Sequence, residues 1–117
     1  MKLYHFGKTA KQITQYDSLN ALVTHLARGE TKFSVVVIVL EGGGVVGRHP
    51  ATENQLFFVI SGAGTVSGED DRPMTIEAGQ MAFWQAGESH ETRSEQGLTA
   101  VVIEGQGLEP NPSLIVV

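Results

Sequence analysis

The 117-residue chain contains no cysteine. That absence excludes disulfides, thiolate nucleophiles and every zinc site built on sulfur. Long apolar runs are missing as well: the longest, residues 35–40, is strand-sized and far short of the ~18 residues a membrane-spanning helix needs. The opening "MKLYHFGKTAKQ" lacks the apolar core of a secretory signal. Cations are few and scattered, 8 Lys and Arg against 13 Asp and Glu for a formal net charge of −5. Nucleic acid, whose recognition rests on grouped cations, is therefore not an expected partner, and neither is a membrane. No glycine-rich loop opens a helix, since the "GGG" at 42–44 reads as a turn before a strand, and no nucleophile elbow is present. The length and composition suit one globular domain over residues 1–117, expected in the cytoplasm.

Glycine, by contrast, is plentiful, with 14 residues punctuating the chain at short intervals. Between the glycines lie segments rich in Val, Ile, Thr, Phe and Leu, at 32–40, 55–60, 64–67, 74–77, 80–85, 90–94 and 98–104. Many short strands joined by turns predict an all-β sandwich or barrel. "GEDDRP" at 68–73 and "EQG" at 95–97 supply turns. "DSLNALVTHLARG" fits two patterns. Leu19, Leu22, Val23 and Leu26 fall at helical spacing, while the β-branched residues and the surrounding strands favour a strand. "GLEPNPS" reads as a loop, after which "LIVV" is available to pair with a sheet edge. "SVVVIVL" and "LFFVI" are apolar at both parities, so both faces of these strands need cover. A second subunit is the simplest outer cover, which predicts a homodimer with residues 1–42 supplying edge strands and dimer contacts.

Two segments carry a family pattern. The first runs Gly43, five residues, His49-Pro50-Ala51, three residues, Gln55, six residues, Gly62. The second runs Gly79, five residues, Gln85-Ala86-Gly87, two residues, His90, three residues, Ser94. Their gaps resemble the two motifs of the cupin superfamily, and the 16 residues between them resemble the short spacing of small single-domain bacterial cupins. The resemblance implies a double-stranded β-helix, or jelly-roll, barrel. It also implies a divalent ion (Zn, Fe, Ni, Mn or Cu) held inside by three His and one Glu. Carried over position by position, those places hold His49, Ala51, Gln55 and His90. Two imidazoles remain, one ligand is a methyl group, and the carboxylate is an amide, so His49, Gln55 and His90 form a reduced metal set with weakened affinity.

Alternation along strands places Gln55 with Phe57 and Val59, and His90 with Thr92. Under the cupin pairing these converge on a lumen that Met81 and Phe83 are also expected to line, giving ligand-binding candidates Gln55, Phe57, Met81, Phe83 and Thr92 beside the two histidines. Trp84, at the opposite parity, is expected to pack outward or against a partner. Plainer roles stand beside these. His49 can be a hydrogen-bonded residue at a strand entrance, and His90 can cap the "QAGES" turn. Gln55 is read first as an amide bonded to both rings and second as a neutral ligand. Glu53 is a weaker candidate ligand or acid, Glu91 points away from His90, residues 69–71 form a solvated turn, and His5 and His25 are structural.

Two functions follow. One is a binding module holding a modest organic molecule. The other is an enzyme of dioxygenase or isomerase/epimerase type, working through a metal or through proton exchange between His49 and His90. The sequence shows no clear carboxylate to orient either histidine.

Overall fold

The computed structural model describes residues 10–28 and 32–117, with the backbone alone for residues 25–28. Among the described residues the elements are eight strands and one 3-10 turn, Gln15–Asp17. The strands are β1 Lys11–Ile13, β2 Leu19–Arg28, β3 Phe33–Pro50, β4 Asn54–Ser67, β5 Met74–Glu77, β6 Met81–Trp84, β7 Ser89–Ser94 and β8 Leu98–Gly105. They close into a jelly-roll β-barrel. No helix among the described residues is long and apolar enough to cross a membrane.

Two long strands make the barrel. The first half of β3 pairs with β2 on one side and β8 on the other, and the first half of β4 pairs with β8 and β6. Their second halves leave that sheet and take β7 between them, with β5 beyond β4. Each long strand thus serves two sheets. Segments 32–40 and 64–67, expected to be self-contained strands, belong to these longer ones, and Gly42, Gly43 and Gly44 lie inside β3 rather than in a turn. Glycine is needed where β4 changes sheets: Gly62 has φ +78°, and a Cβ there would collide with the Gly97 carbonyl.

Residues 19–28 form strand β2, settling the helix-or-strand ambiguity in favour of the strand. The "LIVV" segment, expected to pair with an edge, does not: residues 114–117 form no strand, and Ile115 is 96% exposed. Pro110 and Pro112 precede it, and proline cannot donate to a sheet ladder.

Inside the barrel Phe57, Val59, Ala100 and Val102 are buried. Residues directly opposite one another in an antiparallel pair share a face. The register Val35↔Ile103↔Leu56↔Phe83, followed by Val37↔Val101↔Phe58↔Met81, therefore sets two apolar rows on the outer face. These rows explain why "SVVVIVL" and "LFFVI" show no polar parity.

Candidate functional site

The site begins with an irregularity in β3. Val46 pairs with Thr92 and His49 pairs with His90, so three steps on β3 match two on β7. Gly47 and Arg48 thus form a β-bulge, with two residues opposing one. Regular alternation from the inward Val46 would turn His49 out. The bulge turns it in, opposite His90, and sends Arg48 the other way. Arg48 donates to the Gly68 carbonyl (2.9 Å) and the Ser67 hydroxyl (2.5 Å) and pairs with Asp71 (2.5 Å). The acidic turn expected to be merely solvated is tied to the bulge, and a second tether runs from the Ser89 N–H to the Glu69 carboxylate (2.6 Å).

A cavity of about 270 Å³ lies inside the barrel at this bulge. Ile38, Val46, Phe57 and Val102 give it apolar walls, and His49, His90, Gln55, Thr92 and Glu104 bring polar atoms to it. His49 Nδ1 lies 2.7 Å from the Gly47 carbonyl and His90 Nδ1 lies 3.1 Å from the Glu88 carbonyl. A carbonyl only accepts, so each Nδ1 carries a proton, and in the neutral ring Nε2 is an acceptor with no partner among the described residues. His90 does anchor to its turn through Glu88, as the plainer reading expected, while also facing the cavity. Burial lowers the His90 pKa below its usual value and nearby His49 adds to the shift, against the Glu88 hydrogen bond and the charges of Glu104 and Glu88.

Four rings stand in a row: Tyr16 on His49 (centroids 3.9 Å, 11° between planes), His49 to His90 (4.5 Å, 56°), and His90 on Trp84 (4.3 Å, 25°). Phe57 meets Trp84 edge-on at 5.8 Å.

Gln55, Phe57 and Thr92 are buried and line the cavity, as expected. Met81 and Phe83 do not line it. The register Gln55↔Trp84 and Phe57↔Ala82 puts Trp84 and Ala82 on the inward face of β6, so Met81 and Phe83 face out beside Phe58 and Leu56. Trp84, expected outside, is buried at 3% exposure against His90. Gln55 was expected to bond both imidazoles; its amide instead donates to Glu104 (3.2 Å), which also accepts from the Glu53 N–H (3.0 Å). Glu53 enters through its backbone. Glu91 pairs with Arg93 (2.6 Å), away from the cavity. His5 and the His25 side chain lie outside the described residues.

Two members of the site went unread in the sequence. Glu104 brings a carboxylate to the cavity, bonded to Gln55 and the Glu53 N–H and to neither histidine, and it was findable: Ala100, Val102 and Glu104 alternate on β8, so its inward parity follows from its neighbours. Tyr16 left no such signal, because its approach depends on the β1–β2 connection crossing β3 at Gly47. A Cβ on Gly47 would collide with the Tyr16 carbonyl.

The donor set does not fit a resident transition ion. Only two imidazoles are present among the described lining residues, the second histidine position is the buried methyl of Ala51, and position 55 offers a neutral amide oxygen in place of a carboxylate, its NH2 being given to Glu104. Among the described residues no three His, Cys, Asp or Glu side chains gather as a ligand group.

The sequence profile of the cupin domain matches residues 35–107. Similar solved structures include the polyketide cyclase RemF from Streptomyces resistomycificus, with 18% identity, TM-score 0.79, and 98% of this chain and 87% of that one covered. A predicted oxalate decarboxylase from Thermotoga maritima has 20% identity and TM-score 0.77, over 87% and 96% of the two chains. An RmlC-like cupin from Shewanella frigidimarina has 15% identity and TM-score 0.73, over 93% and 95%. At these identities the likeness is one of fold. No curated protein matches the chain.

Proposed function

The chain belongs to the cupin family, and within it we propose a binding barrel that holds a small, uncharged organic molecule. The observation that carries this reading is the composition of the 270 Å³ cavity: apolar walls from Ile38, Val46, Phe57 and Val102, with polar side chains set among them. That volume lies just below the usual range of roughly 300–1,000 Å³ for small-molecule sites, so the ligand is compact. Its expected charge follows from the lining. Glu104 is the one formally charged side chain among the described lining residues, and Arg48 is turned away to Asp71. An anionic ligand such as oxalate would meet a carboxylate and no cation. A neutral carbonyl compound loses nothing there. It offers apolar surface to Phe57 and Val102, while the two Nε2 acceptors and Thr92 serve any hydroxyl or enol it carries.

Calorimetric titration with acetophenone and with oxalate tests this. The expected result is measurable binding of acetophenone, lost in a His49→Ala/Phe57→Ala double variant, and none of oxalate. Tight oxalate binding would overturn the reading. So would near-stoichiometric metal in purified or metal-reconstituted protein that a His49→Ala/His90→Ala variant loses.

The enzymatic alternative has its own supporting observation in the paired histidines. Their Nδ1 atoms are fixed to backbone carbonyls, leaving one free acceptor on each ring, and burial keeps His90 a neutral base near pH 7. Such a pair suits removing a proton from carbon beside a ketone and returning it, the step shared by isomerisation and aldol-type cyclisation. Exchange of the acetophenone methyl protons in deuterium oxide, followed by NMR, separates the two readings. Exchange above buffer that His90→Gln abolishes makes the barrel an enzyme; binding without exchange leaves it a binding module.

In the outer apolar rows Val35, Phe58, Val101 and Ile103 stay partly exposed while Val37 and Leu56 are already buried, and the exposed part supports a second copy of the chain as its cover. Sedimentation equilibrium is expected to give a dimer, with Phe58→Glu shifting it to monomer.

A further inference from the structure

We infer that Tyr16 is the gate of the barrel and that it selects a planar, unsaturated ligand. This deepens the binding reading above and rests on it.

Position is the first ground. Tyr16 lines the same cavity as His49 and His90, yet it is 55% exposed while His90 is buried. It is the outermost ring of the row and stands between the cavity and solvent. Shape is the second. The Tyr16 and His49 rings lie 11° from parallel with centroids 3.9 Å apart. Their contact is flat face on flat face and is individually weak. A planar guest restores to both rings the faces they give up when they part. A puckered saturated guest presents hydrogens at uneven heights and restores little.

The backbone is the third ground. Tyr16 sits at φ 61°, ψ 30°, and Asp17 follows at φ 56°. This left-handed region is uncommon for non-glycine residues, and a bulky aromatic there is an outlier. Asparagine or glycine would hold the same turn at lower cost. The conformation persists because the turn is pinned from outside: Ser18 Oγ donates to the Gln15 carbonyl (2.6 Å) and accepts from the Gly47 N–H (3.4 Å). Gly47 also leaves the space that the Tyr16 carbonyl occupies. Strained residues held by their surroundings gather at ligand clamps, and here the strain places one ring over a cavity mouth. Rotation of that ring about its own side-chain bonds opens the mouth while the pinned turn stays in place.

The test compares two ketones of equal heavy-atom count, flat acetophenone and puckered cyclohexyl methyl ketone, by calorimetric titration of wild type, Tyr16→Phe and Tyr16→Asn. Asparagine removes the ring and tolerates the left-handed backbone, so the turn survives the substitution; the thermal midpoint checks this. Wild type and Tyr16→Phe are expected to prefer acetophenone about ten- to hundredfold, the worth of two ring-on-ring contacts. Tyr16→Asn keeps the His49 face and loses the Tyr16 face, so its preference for acetophenone is expected to fall to about two- to tenfold, the worth of the one contact left. A preference undiminished in Tyr16→Asn overturns the gate, as does wild type binding both ketones equally well. If neither ketone binds wild type, the binding reading itself fails and the gate falls with it.

Discussion

His49 and His90 are partners in one register pair, and their surroundings could hardly differ more. His90 sits on the regular strand β7, buried at 3% exposure and stacked on the indole of Trp84. His49 sits beside a bulge, half-buried, stacked on a tyrosine that is itself half in solvent. Both bond a backbone carbonyl through Nδ1. The same side chain with the same anchoring therefore becomes a fixed, neutral floor in one place and an accessible rim in the other. What separates them is the third ring: an enclosed indole beneath one, a half-exposed phenol above the other. In the proposed binding reading, recognition falls to the rim and rigidity to the floor.

The floor is expected to break most dramatically. Trp84→Ala removes a buried aromatic that packs on both His90 and Phe57, and should cost about 3–5 kcal/mol of stability in urea denaturation. A loss below about 1 kcal/mol, the level of a surface change, would mean that the indole is not the floor of the site. The rim breaks more gently. Gly47→Ala sets a methyl against the Tyr16 carbonyl, and the 15–18 turn must lift away. The expected cost is about 1–3 kcal/mol, as for overpacking elsewhere. Acetophenone selectivity should fall with it, since the phenol no longer rests on His49. Wild-type stability and selectivity in this variant would show that the turn is not seated on β3 as described.

The contrast between floor and rim also explains which parts of the site were legible in the sequence. The gaps of the two motifs placed His49, Gln55 and His90 together, and alternation added Phe57 and Thr92, because these depend on spacing along a strand. Pairing between strands was harder. Apolar Met81 and Phe83 looked like lumen residues, but this sheet is apolar on both faces, so hydrophobicity could not choose the parity of β6; the register with Gln55 did, and it chose Trp84. Glu104 was within reach through the alternation of β8, yet no motif pointed to it. The bulge at Gly47–Arg48 inverts local parity without an obvious mark in composition. Tyr16 was beyond reach, since its contact with His49 is made across chain segments that no periodicity connects.

A milder perturbation sharpens the same contrast without removing a single atom. Burial, with His49 beside it, lowers the His90 pKa below the ordinary 6.5. The unfolded chain takes up a proton near that ordinary value, while the folded chain resists until its own lower one. Between the two the unfolded state binds more protons, so stability is complete above about 6.5 and is lost as the pH falls through the folded pKa. One group sets a slope of at most about 1.4 kcal/mol per pH unit. The single tryptophan, Trp84, reports on it directly, because it lies 4.3 Å from the imidazole, and a protonated ring at that distance quenches its fluorescence. The expected signature is a drop in Trp84 emission together with a falling unfolding free energy, both below pH 6.5 and both absent in His90→Gln. Equal acid sensitivity in His90→Gln would assign the titration to other groups.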